Sequence, residues 1–358
     1  MSAFITSSGI ISPQPTFDGA GFPVTIHEVI ADRLLCIEPD YKELINPLQL
    51  RRMPRILKMG LAASRLCLNR AGGLNPDAII VGTGLGCLDN LEKFLIEVLD
   101  TGEKITSVIP FINSTHNAVA AQVAMQHKNH GYNMTYCHRG FSFESALIDA
   151  LMHMNENPEV NVLVGGIDEC TDDFVHIHGH LHYWKKPVSN LKLYDQPSGG
   201  TLAGEGSAFF MLSSEPRHHK ACFVKDVHTF LTGTENGYDR VTNELEWFLN
   251  HAGISREQID VVLTGMNGDT EMDAIYHSLS RDYFIRGTGI TRYKHLCGEY
   301  YTSSAFAVWL GDLILREQTI PPVVVHTAPF NKSYRNLLIC NHIRNKEYAL
   351  ILMGHGTI

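Results

Sequence analysis

A chain of 358 residues, 44% apolar and 19% charged, has enough apolar material for a sizeable core. Its length fits two domains or one large duplicated α/β body. The net charge of −9 argues against a general binder of nucleic acid or anionic membrane, since polyanions would be repelled, and no cluster of Lys and Arg offsets it.

The first nine residues carry no basic region and no long apolar stretch, so neither a signal peptide nor a membrane anchor is expected. Phe4 to Ile11 reads as a short apolar strand. Leu50 to Ala71 has apolar residues at helical spacing, with Arg51, Arg52, Arg55 and Lys58 on its polar face. That face is a solvated surface or a landing place for an acidic partner. Asp77 to Gly82 is a strand running into the glycine turn Gly82-Thr-Gly-Leu-Gly86, which does not have the spacing of a dinucleotide fingerprint. A helix over Asn113 to Gln126, a strand over Tyr132 to Tyr136, a helix over Gly140 to Met154 and a strand over Asn161 to Val164 follow. Strands alternating with helices imply a largely parallel sheet covered on both faces.

The strand Ala208 to Leu212 is followed by the polar segment 213–220, the best boundary between two halves, 1–215 and 216–358. The second half repeats the theme with strands at Ala221 to Lys225 and Asp260 to Leu263, and a helix at Asn243 to His251. A further helix spans Thr302 to Arg316, and the last strands are Pro322 to His326 and Tyr348 to Met353. The eight cysteines stand singly without a CxxC, which points away from a zinc ribbon or disulfide framework and towards a reducing cytoplasm.

Cys137 lies between a predicted strand and a predicted helix, with Gly140 close behind. A thiol there would sit near free backbone N–H groups and the positive end of the helix dipole, and both lower its pKa. Its neighbours His138 and Arg139 would add positive charge or face a dimer partner. The competing reading is one small structural cysteine among eight. His176, His178, His180 and His182 alternate as on one face of a strand; they are a polar surface or, less simply, a set converging on a metal.

Seven stretches, in order and over nearly the whole chain, resemble the β-ketoacyl-acyl carrier protein synthases of the thiolase superfamily. They are residues 5–13, 51–63 and 81–86; Tyr136-Cys137 with the strand ending at Asp168; Asp195 with Gly200 to Ser207; 257–260 with Asn267 to Asp273; and Lys294 to Ala305. The resemblance implies a five-layered αβαβα fold from two duplicated halves and a dimer through the strand near Cys137. It also implies chain assembly of the fatty-acid, polyketide or aryl-polyene type on a phosphopantetheine-bearing acyl carrier protein, with no metal or nucleotide cofactor. By the same resemblance Cys137 is the acyl-accepting nucleophile, Lys294 a site lysine, and Glu205 a carboxylate paired internally beneath the site.

The pattern also breaks. Where the family has two histidines that stabilise an enolate, this chain has Asn267 (or Met266) and Glu299. Asn donates a hydrogen bond, but an ionised Glu only accepts, and each lost donor costs about 10²–10³ in rate. A desolvated Glu299 with a raised pKa would instead serve as a base in a non-decarboxylative variant. The family's glycine-rich C-terminal loop appears as Cys340 to Arg344, and the aromatic of its central loop as Thr201. Three readings stand: a divergent synthase that takes an acyl group on Cys137 and transfers or condenses it; a silent, chain-length-factor-like partner in a heterodimer with an active ketosynthase; and a binding module without chemistry.

Overall fold

The computed structural model describes residues 2–19, 21–104, 108–195, 198–217, 220–233 and 237–357; His218 and His219 of the polar segment 213–220 lie outside the described residues. Its main strands are β1 (Ala3–Ile11), β2 (Ala78–Gly82), β3 (Tyr132–Tyr136), β4 (Val162–Asp168), β5 (Gly206–Ser213) and β6 (Lys220–Leu231). They continue with β7 (Val261–Thr264), β8 (Gly289–Arg292), β9 (Val325–Thr327), β10 (Asn336–Ile343) and β11 (Glu347–Thr357). The longer helices are α1 (Arg55–Arg70), α2 (Leu88–Thr101), α3 (Ala118–His127), α4 (Ser142–Glu156), α5 (Asp172–His180), α6 (Gly237–His251), α7 (Thr270–Ser278) and α8 (Ser304–Glu317).

The strands are ordered β9-β8-β7-β10-β11-β6-β1-β5-β4-β2-β3. Reading outwards from the seam between β1 and β6, each side repeats one plan. The second strand (β5 or β11) is antiparallel to both neighbours, and the next three (β4, β2, β3 or β10, β7, β8) run parallel; β9 adds one antiparallel strand beyond β8. The seam itself is short, pairing Ala3 with Val224 and Phe4 with Phe223.

Alternation along the strands turns this plan into layers, because successive side chains point to opposite faces. Ile80, Val162, Val164 and Phe210 share a core with Val261, Leu263, Leu337 and Ile339, and α4 and α8 fill the space between the two half-sheets. Their neighbours Ile79, Val81, Leu163 and Phe209 face outwards onto α1 and α3. On the far side Val262, Leu338, Leu350 and Leu352 face α6 and α7. The result is five layers, αβαβα, from two halves, as the sequence resemblance implies.

Several elements differ from the reading of the sequence. The helix expected over Leu50 to Ala71 starts only at Arg55, because Pro54 disfavours helical backbone at Met53. Arg51 and Arg52 therefore lie in an exposed turn. The histidine segment is α5, not a strand: the Thr171 hydroxyl caps it by accepting from Phe174 N–H, and Asp172 and Asp173 occupy its first turn. Strands β8 and β10 and helices α2 and α7 had no counterpart in that reading. No helix among the described residues is long and apolar enough to cross a membrane, and the eight cysteines are free.

Candidate active site

The loops that follow the parallel strands β4, β7, β8 and β10 converge on one cavity. Phe174 and His178 of α5 form one wall, and Asn267, Glu299 and Tyr301 the floor; Ile343 and Arg344 close it. A site at the carboxyl ends of parallel strands is where this architecture gathers unpaired loop backbone. The free space is ≈ 60 Å³, room for a few waters.

The floor is a closed polar chain. Lys294, whose side chain is wholly buried, donates from Nζ to both Glu299 carboxylate oxygens at 2.6 and 2.7 Å. Glu299 Oε2 also accepts from Asn267 Nδ2 at 2.7 Å, and Asn267 Oδ1 accepts from the Asp269 N–H at 3.0 Å. Asp273 accepts from the N–H groups of Asn267 and Gly268 at 2.8 and 2.9 Å, and burial pushes its carboxyl up to about 6. Asp269 caps α7 by accepting from Glu271 and Met272 N–H. Thr201, where an aromatic was expected by resemblance, donates to the Asn267 carbonyl at 2.6 Å.

Asn267, Glu299 and Lys294 are thus brought together, and Met266 is set aside in the outer core. The amide and the ammonium point at the carboxylate and not into open space. The expectation of Glu299 as a desolvated base meets a carboxylate with both oxygens already engaged by Lys294 and Asn267.

A second carboxylate explains the glycine turn. Asp168, buried at the end of β4, accepts from Thr83 Oγ1 and from the Gly84 and Leu85 N–H groups. It also accepts from the N–H and hydroxyl of Thr302. Burial outweighs these donors and pushes its carboxyl up to about 6. A Cβ on Gly84 would stand 2.3 Å from Tyr301 Cβ, so only glycine admits this approach. The turn is an anion cradle already filled by the protein's own carboxylate.

Cys137 stands apart. It is exposed, its Sγ lies 3.5 Å from the Gly84 carbonyl, and it is not among the cavity-lining residues. Partial burial, with the Asp168 charge, raises its thiol pKa. The helix N-terminus expected to lower it is set back: a 3₁₀ turn, Arg139–Phe141, separates Cys137 from α4.

In strand–turn–helix elbows the nucleophile is the residue on the strained turn. Between β3 and α4 the residue in left-handed backbone is Arg139, with φ 48°. Arg139 is exposed and carries no nucleophile. The neighbouring Gly140 N–H donates to Glu347 Oε2 at 3.0 Å, so a carboxylate occupies this elbow amide.

Glu347 arrives on a hairpin. The segment Cys340 to Arg344, read as the counterpart of a glycine-rich loop, is the end of β10 and a tight turn. In it Arg344 and Asn345 take φ 56° and 52°, and the Lys346 N–H bonds the Ile343 carbonyl at 3.1 Å. The Arg344 guanidinium lies 3.8 Å from the centre of the Tyr183 ring. Arg139 was read only as a charge beside Cys137 and Arg344 only as the end of a loop; Glu347 went unread. The continuous apolar run Leu337 to Cys340 of β10 was the available signal for the hairpin.

No family model and no curated protein matches the sequence; solved structures do match. A β-ketoacyl synthase from Burkholderia phymatum STM815 superposes with TM-score 0.81 at 14% identity, over 99% of each chain. A type II polyketide acyl carrier protein in complex with its ketosynthase gives 0.78 at 13%, over 99% of this chain and 98% of that one. A ketosynthase in complex with its chain length factor from Xenorhabdus doucetiae gives 0.75 at 14%, over 99% and 98%. The chain has the ketosynthase fold.

On this ketosynthase fold Glu205 is wholly buried and pairs with Arg55, both carboxylate oxygens accepting from the guanidinium at 2.5 and 2.6 Å. It also accepts from the N–H groups of Cys36 and Cys170. Arg55 is thereby withdrawn from the solvated face assigned to it. Of the four histidines, His178 turns inwards to the cavity and bonds the Phe174 carbonyl through Nδ1 at 2.9 Å, whereas His176 and His180 face out.

Proposed function

We propose that this chain is the silent, chain-length-factor-like partner of an active ketosynthase, in chain assembly of the fatty-acid or polyketide type on an acyl carrier protein. The observation that carries this reading is the elbow: its strained position holds Arg139, its amide is covered by Glu347, and the floor pairs Lys294, Glu299 and Asn267 with one another. Such a site offers neither a nucleophile nor free donors for a developing enolate.

The outer edge of β3 supports a partner. Among the described residues this strand pairs only with β2 and leaves its other edge open, and Tyr132 and Met134 on it are exposed. Nearby in sequence, Val108, Ile109, Phe111 and Ile112 expose large apolar side chains. Open edges and apolar surface of this kind are normally covered. The solved relatives described as a ketosynthase with its chain length factor and with a carrier protein supply the partner chemistry. Eight free thiols suit a reducing cytoplasm.

One observation favours a second reading: Cys137 is exposed, so it remains open to an acyl thioester and the chain would then transfer acyl groups. The two part on co-expression with a ketosynthase that carries Cys and both His. The silent-partner reading expects a 1:1 heterodimer on gel filtration. A stable homodimer that leaves the ketosynthase unbound would refute it.

A further inference from the structure

Helix α5 has two faces. Phe174, Val175 and His178 pack inwards, while His176 and His180, one turn apart, are exposed on the outside. Their Nε2 atoms lie 3.3 Å from each other with the rings nearly perpendicular, at 84°. Two imidazole nitrogens at ~2.0–2.1 Å from a tetrahedral zinc ion stand about 3.3–3.4 Å apart. The two rings hydrogen-bond each other at this separation, and a cation would take the place of the shared proton.

We propose that His176 and His180 form a two-histidine site for a divalent transition cation of the zinc class. Residues at i and i+4 on one helix share a face, so the helix fixes their separation. Among the described residues no group of three or more His, Cys, Asp or Glu comes together for a metal, so water fills the remaining positions. Asp173, exposed and three residues before His176, lies one turn up the same stripe and adds negative charge near the site. Asp172 is less available, since it accepts from Arg33 at 2.6 Å. The cation would sit on the outside of the helix whose inner face walls the cavity, and would tie its last two turns together.

The test is isothermal titration of Zn²⁺ into the tag-free full chain, with circular dichroism to confirm folding of each variant. The expected result is one Zn²⁺ per chain, with affinity falling about tenfold or more in His176→Gln and in His180→Gln, and unchanged in His182→Gln. Stoichiometric binding that survives both His176→Gln and His180→Gln, or no binding by the unmodified chain, would overturn the site.

Discussion

Removing the Lys294 ammonium would leave the Glu299 carboxylate in the cavity floor with only the Asn267 amide for company. Breaking a buried pair from one side costs ~3–5 kcal/mol, because the surviving charge stays desolvated. Lys294→Met is therefore expected to lower stability by about that amount in urea unfolding, and Lys294→Met with Glu299→Leu to recover much of it. Glu144 on α4 is a different case. It is wholly buried, and no hydrogen bond of good geometry reaches either carboxylate oxygen. Burial pushes it from 4.5 up to about 7, with the Ser304 hydroxyl and Lys294 only partly offsetting that. Its folded pKa is raised, so the folded chain holds a proton that the unfolded chain releases. Its stability contribution is full below pH 4.5 and is lost as pH rises through 7. Glu144→Gln should accordingly gain stability over the unmodified chain between pH 5 and 8, read from urea midpoints at each pH. At this scale the sequence brought Asn267, Glu299 and Lys294 to the site, because their place depends on loop order. The three-residue 3₁₀ turn Arg139–Phe141, which sets Cys137 back from α4, was not legible, because nothing in the residues between Cys137 and Ser142 marks it off from the first turn of a helix.

Among the elements, β3 is the one left unfinished. Its backbone donors and acceptors on the outer edge need a partner strand or water, and its side chains Tyr132 and Met134 are more than a third exposed. A charge placed on such an edge discourages strand pairing. Met134→Asp should keep the folded far-UV spectrum yet lose the ketosynthase in the same co-purification. Strands and helices were legible where a continuous apolar run or a helical period dominated, as in β4 and α4. Helix α5 was misread because four histidines at period two mask the Thr171 cap and the acidic first turn. Strands β8 and β10 escaped because they are short or were assigned to a loop by resemblance.

For the whole molecule, seven weak stretches in a fixed order carried the fold further than any single motif. Two half-sheets of one plan, joined at a two-residue seam, make the duplication visible in topology where sequence self-similarity is too weak to prove it. The chemistry did not follow from the fold, since function resides in side chains grafted onto it. Here the grafted groups neutralise one another. The most direct test is a reconstituted chain-extension assay containing the co-purified ketosynthase, its carrier protein and malonyl donor, with product read by mass spectrometry. A silent partner predicts equal product with the unmodified chain and with Cys137→Ala, and little or none when the chain is omitted. Loss of product in Cys137→Ala with the heterodimer intact would contradict it and make Cys137 an acyl carrier.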